Sequence, residues 1–129
     1  MTLGPLMVDV EGTELTPEDR RVLAHPLVGA VILFTRNFST IAQLDELVRQ
    51  IRAARKPPLL VTVDHEGGRV QRFRSGFTEL PSQRAIGRAY DLDPEAGRRL
   101  GRQCGWLLAA GLRAAGADLS FPACVELDY

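Results

Sequence analysis

The sequence predicts an α/β fold: a parallel sheet with helices outside it. Three observations carry this. Strand-like and helix-like segments alternate along the chain. Two strand segments, Val28-Gly29-Ala30-Val31-Ile32-Leu33-Phe34 and Leu59-Leu60-Val61-Thr62-Val63, are near-continuous apolar runs, as in strands buried on both faces. Polar residues gather after the strand segments, where ligands sit in parallel α/β sheets. Two architectures fit the β-α-β-α-β-α-β order. One is a doubly wound open sheet; the other is the first half of a (β/α)8 TIM barrel, which normally takes about 250 residues.

The elements follow in order. Leu6-Met7-Val8-Asp9-Val10 reads as a short strand. Thr16-Pro17-Glu18-Asp19 starts a helix, with a capping hydroxyl, Pro at the first helical position and acids in the first turn. That helix stops near His25-Pro26. The second strand is the run from Val28 to Phe34. Thr40 with Gln43 resembles a capping box, and Leu44, Leu47, Ile51 and Ala54 form one apolar stripe at helical spacing. This helix ends before Pro57-Pro58, and strand three runs from Leu59 to Val63. A long loop follows to about Pro81. Ser82 to Tyr90 reads as a short helix. Asp93-Pro94-Glu95 opens a long one through Leu100, Cys104, Leu107, Leu108 and Leu112, with Gly116 as its stop. Asp118-Leu119-Ser120-Phe121 begins a fourth strand.

Composition narrows the function. The 129 residues suffice for one domain with a core. Sixteen basic residues balance sixteen acidic ones, so no nucleic-acid or anionic-membrane partner is expected. No apolar run approaches the ~20 residues of a membrane span. No signal peptide is visible, which makes the cytoplasm the expected location. Cys104 and Cys124 match no metal spacing and read as small core residues. The chain has no Gly-x-Gly-x-x-Gly or Walker-type loop and no Gly-x-Ser-x-Gly elbow.

The candidate site lies at the strand ends. Asp9 and Glu11 end or follow strand one; Thr35, Arg36 and Asn37 follow strand two. Asp64, Glu66, Arg69 and Arg72 follow strand three, and Glu126 and Asp128 lie near strand four. The densest segment is Asp64-His65-Glu66-Gly67-Gly68-Arg69-Val70-Gln71-Arg72-Phe73. Carboxylate acceptors and guanidinium donors there suit a hydroxyl-rich ligand. Gly67-Gly68 suggests a turn needing positive φ, and also a close backbone approach to a ligand. Asp64 and Arg72 are the leading ligand-binding candidates. Glu66, Arg36 and Asp128 rank behind them. Glu66 reads equally well as a partner of Arg69, and Arg36-Asn37 as a tie between loops. Arg69 and Arg74 read as surface or structural charges. His65 stands between two acids, but neighbours on a strand end point in alternating directions and rarely share an ion. No metal site is expected.

These motifs resemble a known family. Val63 to Phe73, Ile32-Leu33-Phe34-Thr35-Arg36-Asn37, Phe77-Thr78-Glu79-Leu80-Pro81 and Gly116-Ala117-Asp118-Leu119-Ser120-Phe121 are similar, in order, to segments of bacterial β-N-acetylhexosaminidases of glycoside hydrolase family 3. The resemblance covers nearly the whole chain. It implies a (β/α)8 barrel, of which residues 1–129 are the N-terminal portion. It also implies a retaining, cofactor-free hydrolysis of terminal β-linked N-acetylglucosamine, typically from muropeptides during cytoplasmic peptidoglycan recycling. Asp64 then matches an aspartate that binds sugar hydroxyls, and Arg72 an arginine of the substrate site.

The sequence departs from the family in three ways. Glutamine is more usual at His65. In Phe121-Pro122-Ala123-Cys124-Val125-Glu126-Leu127-Asp128, Glu126 replaces an aspartate and Pro122-Ala123 reverses the usual order. The third departure is length. The family's nucleophile, histidine acid/base, Lys-His pair and a further substrate arginine match no position here. No catalytic residue is therefore expected in this chain, and His65 and Glu66 do not stand in for them. Such a half-barrel is expected to be inactive alone and marginal as a monomer, with open sheet edges available for self-association. The alternatives are a non-catalytic sugar-binding half-barrel that dimerises, and a β-glucosidase of the same family.

Overall fold

A computed structural model describes residues 2–122. Its elements are β1 (Leu6–Val8), α1 (Pro17–Leu23), β2 (Val28–Leu33), a 3-10 turn (Thr35–Asn37), α2 (Ile41–Ala53), β3 (Leu60–Val63), α3 (Gln83–Leu92), α4 (Pro94–Ala114) and β4 (Leu119–Ser120). Cys124, Glu126 and Asp128 lie outside the described residues, as does most of the departing segment after Phe121.

The helix starts follow the capping chemistry. Thr16 Oγ1 accepts from the Asp19 amide at 3.0 Å, while the Thr16 amide donates to Asp19 Oδ2 at 2.9 Å. This is a complete capping box, with Pro17 in the first turn. The box expected at Thr40 is half formed. Thr40 Oγ1 accepts from the Gln43 amide at 3.1 Å, but Gln43 Oε1 accepts from the Ser39 amide instead. Gln43 Nε2 donates to the carbonyls of Thr13 and Asn37, so this side chain also ties two loops to α2. Asp93 caps α4 by accepting from the Glu95 and Ala96 amides.

Several boundaries differ from expectation. β1 ends at Val8 rather than Val10, and β2 at Leu33 rather than Phe34. In both places the chain leaves the sheet to form the rim. α3 runs two residues past Tyr90, to Leu92, where Asp93 turns to cap the next helix. β4 is short, but backbone pairing extends beyond it: the Asp118 amide donates to Val61 O and the Phe121 amide to Val63 O.

The sheet decides between the two architectures. All strands are parallel and lie in the order β1-β2-β3-β4. A doubly wound sheet reverses its strand order and carries helices on both faces. Here each strand pairs with its sequence neighbour, as in consecutive βα units of a barrel. On one face Val31, Leu33, Val61 and Val63 are fully buried. They belong to the core that includes Leu44, Leu47, Val48 and Ile51 of α2 and Leu108 and Leu112 of α4. The registers Met7↔Ala30, Ala30↔Leu60 and Thr62↔Leu119 place those residues on the opposite face. That face stays partly open: Met7, Leu60 and Leu119 are each between 43% and 49% exposed. Burial of the strands on both faces is therefore incomplete, in the pattern of an uncovered barrel interior.

Candidate functional site

The site grows out of the end of β3. Val63 is buried, and the next residue, Asp64, carries its carboxylate to the rim. Arg72 returns to it eight residues later. Arg72 Nη2 donates to Asp64 Oδ2 at 2.7 Å, and both side chains are 27% exposed. Asp64 Oδ1 has no partner among the described residues and remains an acceptor for a ligand hydroxyl.

The intervening loop is tightly specified. The Glu66 amide donates to Val70 O at 2.7 Å and the Val70 amide to Gly67 O at 3.2 Å, closing a narrow turn. Gly67 and Gly68 have φ of 90° and 56°, and a Cβ on Gly68 would lie 2.7 Å from Ser82 Cβ. Both the backbone angle and the space call for glycine. Gln71, buried, donates to the carbonyls of Phe73 and Thr78 and accepts from the Leu80 amide at 2.9 Å. Phe73 anchors the loop in an aromatic cluster, with ring centroids 5.1 Å from Phe38 and 5.5 Å from Phe77. The Asp64–Arg72 pair therefore stands on a wall with little freedom to move.

His65 belongs to that wall rather than to a ligand set. It is 2% exposed and packs near Phe73 and Phe77, at 5.7 and 6.2 Å between centroids. Its Nδ1 is buried without a partner. Burial, reinforced by the charges of Arg74 and Arg72, lowers its pKa to about 4. Among the described residues no group of three or more His, Cys, Asp or Glu is arranged to hold a metal ion.

The second-rank candidates separate. Arg36 pairs with Asp9, joining the rims of β2 and β1. Glu66 makes no ion pair with Arg69 among the described residues. It lines an apolar groove of about 450 Å3 between α3, α4 and β4, together with Leu80, Ile86, Cys104 and Leu108. Neither Asp64 nor Arg72 reaches that groove, whose apolar lining does not suit a hydroxyl-rich ligand. Arg74 acts structurally, donating to Gly68 O at 2.6 Å. Asp128 lies outside the described residues.

Two residues do more than their sequence suggests. Asn37 is fully buried; its Nδ2 donates to the carbonyls of Val10 and Gly12, and its Oδ1 accepts from the Phe34 amide at 2.8 Å. Phe34 in turn has the guanidinium carbons of Arg36 and Arg72 at 5.0 and 5.6 Å from its ring centroid. Its place at the end of an apolar run disguised it as a core strand residue.

The glycosyl hydrolase family 3 N-terminal domain matches residues 5–128. The chain is 57% identical over its whole length to a β-hexosaminidase of Nitrosospira multiformis, covering 37% of that protein. It is 58% identical to a β-hexosaminidase of Thioalkalivibrio sulfidiphilus, with the same coverage. Among solved structures, NagZ from Neisseria gonorrhoeae in complex with N-trifluoroacetyl-D-glucosamine matches all of this chain and 38% of its own, with a TM-score of 0.97 and 45% identity. The chain thus spans a little over a third of the length of the curated relatives it matches.

Proposed function

The chain belongs to glycosyl hydrolase family 3, and from that premise we propose that it is the N-terminal portion of a single barrel domain in a retaining β-N-acetylhexosaminidase. The reaction is hydrolysis of terminal β-linked N-acetylglucosamine. Asp64 and Arg72 bind the sugar: Oδ1 of Asp64 accepts from a ring hydroxyl while Arg72 donates to a neighbouring oxygen. Glu66, Arg36 and Asp128 are secondary candidates. Retaining hydrolysis needs a nucleophile and an acid/base flanking the scissile bond, and we assign both to the rest of the protein. A muropeptide is the proposed physiological substrate, the cytoplasm the proposed location, and no cofactor is invoked. No helix of the described residues is long and apolar enough to cross a membrane.

The supporting observation is the pairing of Asp64 and Arg72 at 2.7 Å on the rim of a fold that matches the N-trifluoroacetyl-D-glucosamine-bound NagZ structure at a TM-score of 0.97. The test is turnover of aryl β-N-acetylglucosaminide against aryl β-glucoside by the full-length protein. Preference for the glucoside refutes the assignment in favour of a β-glucosidase.

A second reading draws on the open sheet face with Met7, Leu60 and Leu119. Here the chain alone is a sugar-binding half-barrel that closes by dimerising. A stable dimer of the isolated chain that binds N-acetylglucosamine without cleaving it supports this reading; an aggregating monomer refutes it.

A further inference from the structure

Segments after two strands meet on one aromatic ring, and a third joins them through an ion pair. Asp9, after β1, pairs with Arg36, after β2. The Arg36 guanidinium lies 5.0 Å from the Phe34 ring centroid, and that of Arg72, after β3, lies 5.6 Å from the same centroid. Asn37 holds the Phe34 amide at 2.8 Å and is itself bound to the Val10 and Gly12 carbonyls. The backbone beneath the ring is therefore fixed.

Arg72 has few other anchors. Nη2 is bound to Asp64, and Nε is buried without a hydrogen-bond partner. An arginine in a ligand site is usually oriented by several donors in its fork. Here orientation falls to one carboxylate and one ring. The carboxylate is the group expected to engage the ligand, which leaves the ring as the fixed anchor. A cation held over an aromatic face is attracted by the ring quadrupole, more strongly where water is excluded.

We propose that Phe34 and the Asp9–Arg36 pair form a positioning unit for Arg72. Asp9 holds Arg36, Arg36 fixes the ring of Phe34, and the ring sets the Arg72 guanidinium beside Asp64. The unit links the rims of β1, β2 and β3 and explains their shared polarity. None of its three members is a catalytic residue. The inference rests on the sugar-hydrolase reading of the Asp64–Arg72 site.

The test uses the full-length protein, an aryl β-N-acetylglucosaminide and the variants Phe34→Leu, Arg36→Gln, Arg36→Lys and the Phe34→Leu/Arg36→Gln double. Each of Phe34→Leu and Arg36→Gln is expected to raise KM about tenfold with kcat changed less than about twofold. The double variant should be no worse than the worse single one, because both act through one ring. Arg36→Lys, which keeps a cation for Asp9 and the ring, should recover most of the loss. The melting temperature of Arg36→Gln should stay within about 2 °C of the parent, since an exposed ion pair contributes little stability. A second readout is independent of turnover. The Arg72 Nε–H, buried in the parent, is expected to exchange slowly there and to lose that protection in Phe34→Leu and Arg36→Gln. Multiplying effects in the double variant, or an unchanged Arg72 resonance in both single variants, overturns the proposal. A parent without turnover sinks the hydrolase reading alone, and the resonance then decides the positioning role.

Discussion

Lowering the pH from 7 to 5 should destabilise the fold through His65. The ring is 2% exposed, sits beside Phe73 and Phe77, and has a buried Nδ1 without a partner. Charging it would place a cation in an apolar pocket already facing Arg74 and Arg72, with only Asp64 opposing. Its pKa therefore falls from 6.5 to about 4 in the folded protein. A depressed folded pKa means that the unfolded chain binds the proton more readily. The contribution is thus fully present above pH 6.5 and is lost as pH falls toward 4. Taking 6.5 and about 4 as the two values, the loss between pH 7 and pH 5 is about 2 kcal/mol, and the full loss below pH 4 is roughly 3 kcal/mol. The assay is urea denaturation of the protein at pH 7, 6 and 5 beside His65→Gln. Glutamine cannot titrate, so the variant should lose about 2 kcal/mol less over the same range. Parallel losses in parent and variant would falsify the argument, whatever the absolute stability of the variant.

Two further outcomes test the rim. Asn37→Ala removes the partners of the Val10 and Gly12 carbonyls and of the Phe34 amide, and should cost roughly 3 kcal/mol in urea denaturation; a loss below about 1 kcal/mol shows that water replaces the amide without penalty. Gly68→Ala combines positive φ with a Cβ 2.7 Å from Ser82 Cβ and should cost roughly 1–3 kcal/mol. Gly87→Ala, on α3 with nothing within 4 Å of the new methyl, should instead stabilise by up to about 1 kcal/mol. Equal effects at the two glycines, read from thermal melts, contradict the steric account.

What the sequence disclosed about the fold was what periodicity and capping encode. Thr16, Thr40, Ser82 and Asp93 each stand at a helix start because a short oxygen there satisfies an amide that the helix leaves free. The uninterrupted apolar run of β2 announced a strand enclosed by other layers; Val28 to Val31 are buried, while the sheet face with Met7, Leu60 and Leu119 stays partly open. The ends of β1 and β2 were less legible. Val10 and Phe34 are apolar and continue the strand pattern, yet both lie past the last paired residue. Val10 is buried because its carbonyl is held by Asn37 and its side chain joins the core, a tertiary arrangement that no local pattern records.

The site divides along the same line. Asp64, Arg72 and the two glycines stood out as candidates because charge and conformational freedom are written in residue type. Which charges would meet was not written there. Glu66 and Arg69 are close in sequence, yet the turn that joins the Glu66 amide to Val70 O does not bring them into an ion pair. Arg72, eight residues from Asp64, is returned to it by the same turn and by Phe73, whose ring is 1% exposed in the core. The residue that connects the arginines is the one with no charge to advertise it. Phe34 has the composition of a core residue and the position of a strand residue. The positioning role proposed for it rests on the two guanidiniums that fold against it. On that proposal an aromatic side chain at the end of a parallel strand organises a polar rim without contributing a hydrogen bond to it, through the attraction between its ring face and the cations around it.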